Sequence, residues 1–334
     1  MLSGQAGGGP LVSVGIPVFN GEATIREALN SILSQTYENL EVLVYSNGST
    51  DGTDVIVMDV ARGDPRVKCR FGDVNRGVSR SFNETYRMST GTYFMWVAAD
   101  DQLDALFVES GVALLEADPR IGVSVPIVTA HLEGHEGPVY SVRFQGFEPN
   151  QSALKILVRS IRKLPDTCIY GLFRSEVLGR SGLFAPVYMT DVALLQEIAL
   201  RAPIVCNTDQ CLRYNMQARW KTTAEEMAMF SAGKLPRRSV PPALLLLSER
   251  IRRLRDVAPT RRRWITYSVV VICAEAWRIG WRVLWLLTRK LVGRRPLRSL
   301  ATAWYWRHML PDYMTVIDRV TYERRIVLPT LGLE

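Results

Sequence analysis

Cysteine is scarce in this sequence, and its spacing excludes two common kinds of site. The chain has 334 residues and five cysteines, an odd set in which no two form a Cys-x-x-Cys pair. Zinc sites and disulfide frameworks normally use an even number of closely spaced cysteines. The sequence therefore predicts neither, and this cysteine usage fits the reducing environment of the cytoplasm.

The N-terminal segment lacks the pattern of a targeting signal. Residues 1–10 are small and glycine-rich, without a basic region followed by an apolar stretch, so no secretory signal is predicted. We expect these ten residues to form a flexible leader. The remainder is not depleted in apolar residues, since 47% of the chain is hydrophobic, and we expect a folded protein.

Net positive charge is confined to one segment of the chain. Between Arg250 and Arg298, fourteen Arg or Lys residues stand against Asp256 and Glu275. This local net charge of +12 exceeds the +8 of the whole chain, so the rest sums to −4. The basic character therefore belongs to one segment and says little about the rest.

Strands and helices alternate along the first hundred residues. Apolar, β-branched runs predict strands, and apolar residues at helical spacing predict the helices between them. The predicted strands are 11–18, 40–45, 67–71 and 93–99, and the predicted helices are 22–35, 53–62 and 79–89. This order predicts a parallel, doubly wound α/β sheet, in which ligands bind outside the carboxyl ends of the strands.

Short polar side chains follow three of these strands, around Asn20, Asn47 and Asp100. Asp100 is followed by Asp101, and two adjacent carboxylates repel unless a cation lies between them. Mg²⁺ and Mn²⁺ are typically held by one or two carboxylates together with the phosphates of a substrate. The pair therefore suggests a nucleoside diphosphate as a ligand, although for an isolated pair an Asp-rich turn that closes a strand is the better explanation.

Five ordered pieces of sequence together resemble the inverting glycosyltransferase family 2. They are 12–22 (VSVGIPVFNGE), 31–37 (SILSQTY), 47–53 (NGSTDGT), 75–77 (NRG) with Asn83, and 98–101 (AADD). The resemblance is strong over residues 11–101 and continues weakly to about residue 220. It implies a GT-A fold, a doubly wound, Rossmann-like mixed sheet. Residues 11–225 would form the transferase domain, with a nucleotide-binding half at 11–101 and an acceptor-binding half at 102–225.

The resemblance also implies which residues contact the nucleotide-sugar donor. The base and ribose would be bordered by Pro17, Val18, Asn20, Glu22, Ser46 and Asn47. Asp100 would contact the ribose or a phosphate, and Asp101 would hold the Mn²⁺ or Mg²⁺ that bridges the diphosphate. Ser46 stands where the family often has an acidic residue, which leaves the choice of base open.

A second family feature is an acidic residue, often in a Glu-Asp pair, roughly 90 residues after the metal pair. Here 189–194 (MTDVAL) resembles that region, with Thr190 in place of the Glu. Asp191 is therefore the candidate general base. Such a base accepts the proton of the acceptor hydroxyl while that oxygen attacks the anomeric carbon opposite the leaving diphosphate, which inverts the anomeric centre. Asp191 could also cap a helix over 192–200.

Many family members carry a histidine that reaches the metal or diphosphate in the region resembled by 212–220. Gln217 stands near that place, and an amide is a poorer metal ligand than an imidazole. The contact is therefore either absent or supplied by Arg219 binding a phosphate, unless Arg219 only packs beside Trp220. His131 and His135 flank a glycine-rich stretch, which predicts an exposed loop near the acceptor rather than a metal site.

Residues 240–334 form a basic, tryptophan-rich tail that we expect to be helical. Six of the eight tryptophans lie in the last quarter of the chain, interleaved with arginines, as expected of a segment on an anionic membrane surface. A lone span over 264–288 would bury Glu275, Arg278 and Arg282, at a cost of about 7 to 10 kcal/mol against about 3 to 6 gained. We therefore predict membrane-surface contact through 261–306. Packing on a partner subunit in a homo-oligomer, or on the rest of the protein, is the alternative, and the apolar content disfavours nucleic acid.

These observations predict a cytoplasmic hexosyltransferase, peripheral at the inner face of the cell membrane. It would move a sugar from a nucleotide-diphosphate sugar to a lipid-linked or growing glycan acceptor, in cell-surface polysaccharide or glycolipid biosynthesis. One rival, a sugar-phosphate nucleotidyltransferase, would need a glycine-rich loop with a basic residue after the first strand, where this chain has Asn20-Gly21-Glu22. The other rival is a non-catalytic nucleotide-sugar-binding scaffold.

Overall fold

A computed structural model describes residues 9–216, 228–230, 240–292 and 314–317. In its N-terminal part, strands and helices alternate as predicted. The strands are β1 (Val12–Val18), β2 (Leu40–Ser46), β3 (Val67–Phe71) and β4 (Tyr93–Trp96), and the helices are α1 (Ile25–Leu33), α2 (Thr53–Gly63) and α3 (Val78–Met88). β1 pairs in parallel with β2 and β4, and β2 with β3. The predicted parallel sheet is therefore confirmed.

The next part of the chain adds antiparallel strands and makes the sheet mixed. It contains β5 (Gln102–Leu103), α4 (Phe107–Ala117), β6 (Val123–Leu132), β7 (Pro138–Val142), α5 (Ala153–Lys163), a 3₁₀ helix (Asp166–Tyr170), β8 (Leu172–Arg174), α6 (Ser175–Gly179), α7 (Thr190–Arg201) and β9 (Ile204–Met216). β8 pairs antiparallel with β4 and with β6, while β9 runs parallel to β6. The sheet therefore continues from the parallel half into the second half without a break.

The central strands are buried on both faces, which explains their nearly continuous apolar sequences. Every residue of β2 is buried, and so is every residue of β1 except Pro17. α1 packs on this sheet through Ile25, Ala28, Leu29 and Ile32, the spacing that predicted the helix. Its first helical residue is Ile25 rather than Glu22, because the polar residues before it form the loop after β1.

Two helices and a short strand follow farther along the chain: α8 (Pro242–Val257), α9 (Arg261–Val292) and β10 (Met314–Val316). α8 has proline in its first turn, where the missing N–H costs the helix nothing. β10 pairs antiparallel with β7 and extends the sheet order to β3-β2-β1-β4-β8-β6-β7-β10. Within the described ranges, no helix combines the length and the hydropathy needed to cross a bilayer.

The C-terminal helices pack on the rest of the protein. Leu157 of α5, Leu254 of α8, and Tyr267 and Val271 of α9 form one buried apolar cluster. Two polar residues of α9, Ser268 and Glu275, are also buried against the protein, because they are only 8% and 3% exposed. Glu275 is paired there with Arg250 of α8. The side chains of Arg278 and Arg282 lie outside the described residues.

Candidate functional site

A cavity of about 920 Å³ opens at the carboxyl ends of β1, β2 and β4. Three loops predicted to converge at this edge of the sheet reach it, and five of the predicted donor-contact residues line it: Pro17, Val18, Asn20, Asn47 and Asp100. Its opposite wall comes from the ends of β6 and β9. The geometry therefore brings most of the predicted nucleotide contacts into one space, at the position where open parallel sheets bind ligands.

Asn20 shapes the loop after β1. Its backbone has a left-handed φ of 53°, a conformation that asparagine tolerates better than most residues. Its N–H donates to Ser49 Oγ at 3.1 Å, and its Oδ1 accepts from the N–H of Thr50 at 2.9 Å. The loops after β1 and β2 are thus joined by hydrogen bonds, which hold the first wall of the cavity.

Glu22 takes part in the same junction rather than in the cavity lining. Its Oε2 accepts from the N–H of Gly52 at 2.9 Å, and its own N–H donates to Asp51 Oδ2 at 3.1 Å. Asp51 Oδ1 also accepts from the N–H of Thr53 at the start of α2. Glu22 and Asp51 therefore stabilise the loops after β1 and β2 through hydrogen bonds. A contact between Glu22 and the donor stays a prediction.

Ser46 is fully buried at the end of β2 and does not line the cavity. Its hydroxyl donates to Asp54 Oδ1 in the first turn of α2 and lies 2.9 Å from Ser49 Oγ. The family often has an acidic residue at position 46. Here a carboxylate lies next to that position, but it belongs to Asp54. The predicted contact between Ser46 and the nucleotide remains untested.

Asn47 organises the loop that carries Asn75-Arg76-Gly77. Its Oδ1 accepts from the N–H of Arg76 at 3.0 Å, and its Nδ2 donates to Asn75 Oδ1 at 2.9 Å. Gly77 has a φ of 87°, where a side chain would be strained, and it immediately precedes α3. These bonds give a physical reason for two of the sequence pieces that point to the family.

Asp100 and Asp101 follow β4 and meet the end of β9. The carbonyl of Asp100 accepts from Asn215 Nδ2, and Asp101 Oδ1 accepts from the N–H of Asn215 at 3.0 Å. Asp101 is fully buried, and its second oxygen, Oδ2, has no hydrogen-bond partner among the described residues. A buried carboxylate oxygen without a partner is costly, so this atom points to a missing ligand.

The electrostatics of Asp101 fit a bound cation. Burial, together with the negative charge of Asp100, raises the pKa of Asp101 well above its usual range, although the Asn215 N–H partly opposes the rise. A divalent cation beside Oδ2 would satisfy that oxygen and favour the ionised form. Among the described residues, no cluster of three or more His, Cys, Asp or Glu side chains is placed to hold a metal ion. Asp101, with Asp100, is the donor set that fits one.

Tyr170 lies within electrostatic reach of Asp100, Asp101 and Asp191. Burial raises the pKa of the Tyr170 hydroxyl well above its usual range, and Asp101, Tyr214, Asp100 and Asp191 raise it further. The hydroxyl therefore stays protonated and can donate a hydrogen bond. The candidate base and the candidate metal pair thus act electrostatically on the same hydroxyl.

Asp191 lies in the first turn of α7 and is half-buried. The helix begins at Thr190, after Met189 in a left-handed conformation with a φ of 54°. Asp191 therefore does not cap the helix as the alternative interpretation required. Its Oδ1 accepts from the N–H of the next residue, Val192, at 2.8 Å.

The loop before Asp191 is held from several sides. Leu183 also has a positive φ, of 49°, and strained residues of this kind persist only where their surroundings fix them. Asn83 of α3 bonds both the N–H and the carbonyl of Phe184, at 3.0 and 2.9 Å. Thr190 Oγ1 accepts from the N–H of Ala185 at 2.8 Å. The residue that replaces the expected Glu therefore stabilises this loop.

The opposite wall of the cavity carries His131 from β6, Glu133 and His135 from the β6–β7 connection, and Arg213 and Asn215 from β9. Burial and the nearby Arg213 cation lower the pKa of His131. His131 is thus predominantly neutral at physiological pH. The two histidines line the cavity rather than only an exposed loop, on the side across from the predicted nucleotide contacts.

Two of the residues singled out from sequence, Gln217 and Arg219, lie outside the described residues. Sequence reasoning missed Tyr170, which belongs to no recognisable motif, and Arg213, which lies in the family-like region 212–220 but was not singled out there. Asn215 stands two positions before Gln217. The resemblance therefore pointed to this part of the chain, but not to the hydrogen bonds of Asn215 with Asp100 and Asp101.

A sequence model described as Glycosyl transferase family 2 matches residues 13–178. Among curated proteins, an uncharacterised glycosyltransferase of Haemophilus influenzae is 38% identical over 112 residues, 34% of this chain and 35% of that protein. Another, of Rickettsia conorii, is 39% identical over 188 residues, 56% of this chain and 29% of that protein. The chain spans roughly a third of the length of these relatives.

Two solved structures resemble the fold. S. aureus TarS in complex with UDP superposes with a TM-score of 0.58 at 18% identity, covering 78% of this chain and 70% of that one. A mannosyltransferase from Pyrobaculum calidifontis, in complex with GDP-Man and Mn²⁺, gives a TM-score of 0.51 at 19% identity, covering 97% and 86%. The predicted GT-A type of mixed α/β sheet is thereby confirmed.

Proposed function

We propose that this chain, which belongs to glycosyl transferase family 2, transfers a sugar from a nucleotide-diphosphate sugar to an acceptor hydroxyl with inversion. The observation that carries the proposal is the cavity at the carboxyl ends of β1, β2 and β4, with a buried, incompletely bonded Asp101 beside it. That arrangement provides a space lined by Asp100 and next to the buried Asp101, as a nucleoside diphosphate with a cation requires.

The donor's nucleoside would lie against Pro17, Val18 and Asn20, with Asn47 beneath it. Pro17 and Val18 end β1, and Asn20 and Asn47 lie in loops fixed by hydrogen bonds, so binding them would cost little ordering entropy. The two similar structures hold different nucleotides, UDP and GDP-Man. Fold likeness therefore does not choose a base for this chain.

Asp101, assisted by Asp100, would hold Mn²⁺ or Mg²⁺ next to the diphosphate. When bound, such an ion offsets the negative charge that grows on the leaving nucleoside diphosphate. The chain's own contribution is to hold a carboxylate oxygen in a buried place where few other ligands can reach it.

Asp191 would act as the general base. The acceptor O–H proton passes to the Asp191 carboxylate while the acceptor oxygen forms its bond to the anomeric carbon. The bond from that carbon to the diphosphate oxygen breaks at the same time, and the nucleoside diphosphate leaves with the electron pair. The proximity of Asp191, Asp100 and Asp101 to Tyr170 supports placing base and leaving group on one reaction centre.

The acceptor is proposed to be a lipid-linked or growing glycan, entering from the wall formed by His131, Glu133 and His135. Hydroxyl-rich ligands suit a wall of this kind, because carboxylate, imidazole and guanidinium groups can all hydrogen-bond sugar hydroxyls. The nucleotidyltransferase alternative gains no support, since the loop after β1 contributes Phe19, Asn20 and Gly21 to the cavity and no cation.

The test is a thermal-shift screen of nucleoside diphosphates, each with and without Mn²⁺. A ligand that binds only the native state raises the stability by about 2.7 kcal/mol at one hundred times its Kd. We expect one or two nucleoside diphosphates to raise the unfolding temperature, and to do so more strongly with Mn²⁺.

The matched control compares two aspartates. Asp101→Asn should remove the Mn²⁺-dependent part of the shift, whereas Asp118→Asn should leave it unchanged. Asp118 is paired with Arg120 after α4, away from the cavity lining. Absence of any shift would reject nucleotide binding. A shift without turnover of any nucleotide sugar, even by hydrolysis, would instead favour the non-catalytic scaffold.

A further inference from the structure

One side of α9 exposes a regular apolar stripe, which we call the α9 apolar face: Ile265, Val269, Ile272 and Ala276. These residues are spaced by four, three and four positions, so they share one side of the helix. The side chains of Ile265, Val269 and Ile272 are 47%, 51% and 43% exposed. We propose that this face docks on an anionic membrane surface. The docking goes beyond glycosyl transfer and does not rest on it.

The helix turns two of its polar residues inward. Ser268 and Glu275 are buried against the protein, together with Tyr267 and Val271. The Glu275 carboxylate is paired there with Arg250 of α8. Because the ion pair hides this charge, the outward side of the helix is left apolar, the reverse of an ordinary surface helix.

Positive charge adjoins the apolar face. Arg261, Arg262 and Arg263 are all exposed in the first turn of α9. Trp277, near the other end of the described side chains, is 64% exposed. Interfacial helices bury their apolar side in the headgroup region while arginines meet anionic headgroups and tryptophan sits at the boundary. The positive charge and the apolar surface are therefore both complementary to an anionic membrane surface.

The neighbouring helix α5 contributes similar features. Leu157 of α5 packs against Tyr267 and Val271 of α9, so the two helices are in contact. Leu154 and Val158, on the flank of α5, are 42% and 46% exposed, and Lys155 between them is exposed as well. Two packed helices thus both present apolar and basic side chains to solvent, which a single accidental leucine or valine would not explain.

A second copy of the chain is the competing occupant, since a four-three spacing also suits helix pairing. A membrane accounts for the exposed arginines as well as for the apolar face. Anionic headgroups can pair with these cations, whereas a second copy of the same basic helix would repel them. Each arginine near an anionic surface strengthens binding by about fivefold. Replacing one valine of the apolar face by an aspartate should weaken membrane binding by about tenfold or more.

The experiment is vesicle co-sedimentation of the full chain without nucleotide. Vesicles of phosphatidylcholine with phosphatidylglycerol are compared with vesicles of phosphatidylcholine alone. We expect the unsubstituted chain to sediment with the anionic vesicles and only weakly with the neutral ones. Val269→Asp should lose most of this binding. Val55→Asp is the matched control, because Val55 on α2 is 66% exposed and lies on a different helix.

The charge is tested separately by replacing Arg261, Arg262 and Arg263 with serine. The triple variant should bind anionic vesicles about a hundredfold more weakly. Circular dichroism and the unfolding temperature confirm that each variant is folded. Equal binding by Val269→Asp and the unsubstituted chain would overturn the proposal. So would a dimer in sedimentation equilibrium that Val269→Asp converts to a monomer without vesicle binding, since a second copy would then cover the face.

Discussion

Arg253 of α8 and Glu197 of α7 form an ion pair inside the protein. Arg253 Nη1 donates to Glu197 Oε2 at 2.7 Å, and the two side chains are 2% and 1% exposed. The same guanidinium donates to the carbonyl of Leu183, in the strained loop before Asp191. Although the family match ends at residue 178, a helix far beyond it therefore fixes the loop that presents the proposed base.

Replacing Arg253 by methionine should lower the free energy of unfolding by about 3–5 kcal/mol. Arg253 is one of two arginines that pair with the buried Glu197 carboxylate, the other being Arg201, and removing one partner is the costly way to break a buried pair. The measurement is urea unfolding at neutral pH. Arg252→Met is the control, because Arg252 pairs with Glu249 but its side chain is 55% exposed, and an exposed pair is worth at most about 1 kcal/mol. Similar losses in both variants would contradict this account.

Asp191→Asn should lower kcat by about 10²–10⁴-fold while leaving nucleotide affinity nearly unchanged. The amide keeps the size of the side chain but cannot accept the acceptor proton. Turnover is measured with the nucleotide sugar identified by the thermal-shift screen, and affinity with the corresponding diphosphate. Glu176→Gln serves as a control, because Glu176 is an exposed partner of Arg180 on α6. Unchanged turnover in Asp191→Asn would exclude Asp191 as the base.

The stability that Glu41 contributes to the protein should be lost as the pH falls. Burial raises the pKa of Glu41, but hydrogen bonds from Lys68, Ser13 and Thr90 outweigh it and lower the pKa overall. The stability that this carboxylate contributes is therefore complete above its unfolded pKa, about 4.3, and is lost as the pH falls through the lower folded pKa.

Glu41→Gln tests this pH dependence. The variant should be less stable by about 1–3 kcal/mol at pH 7, because hydrogen bonds to a charged acceptor are lost. Its disadvantage should shrink as the pH falls below about 4. Unfolding by urea is followed at a series of pH values. Parallel stability curves for the variant and the unsubstituted chain would show that Glu41 does not titrate as described.

Gly48 should not tolerate alanine. Its φ is +72°, and a Cβ there would lie 2.5 Å from the backbone carbon of Val74. The left-handed conformation alone costs about 1–2 kcal/mol for an alanine, and the clash adds to it by moving the loop that carries Asn75. We expect Gly48→Ala to lower both the unfolding temperature and the nucleotide affinity. Gly63→Ala, where a Cβ meets nothing within 4 Å, should lower neither.

The N-terminal half of the sheet could be predicted closely because its signals are local. The predicted helix over 53–62 appears as Thr53–Gly63, and the strand over 67–71 appears without change. Each depends on periodic apolar residues bounded by turn formers, so neighbours in sequence determine it. The strand predicted over 93–99 ends at Trp96 instead, because the apolar residues after it enter the cavity loop.

The site was only partly predictable, for a physical reason. Asn20, Asn47 and Asp100 follow strands, and the rule for parallel sheets places them at one edge. Tyr170 and Arg253 reach the site from distant elements, and nothing in their local sequence indicates a partner. Their contacts depend on how the second half of the chain folds onto the first. The inward turn of Glu275 was missed for the same reason, since its partner Arg250 lies on another helix.

The pairing of β10 with β7 joins residues about 170 positions apart, as Val142 faces Met314. During synthesis, β7 is complete long before β10 has emerged from the ribosome. At typical elongation rates of about 5–20 residues per second, this edge of the sheet waits on the order of ten seconds or more for its partner. An uncovered strand edge is a template for pairing with other chains. The nascent protein is therefore most exposed to misassembly at β7, and chaperone capture in that interval would protect it there.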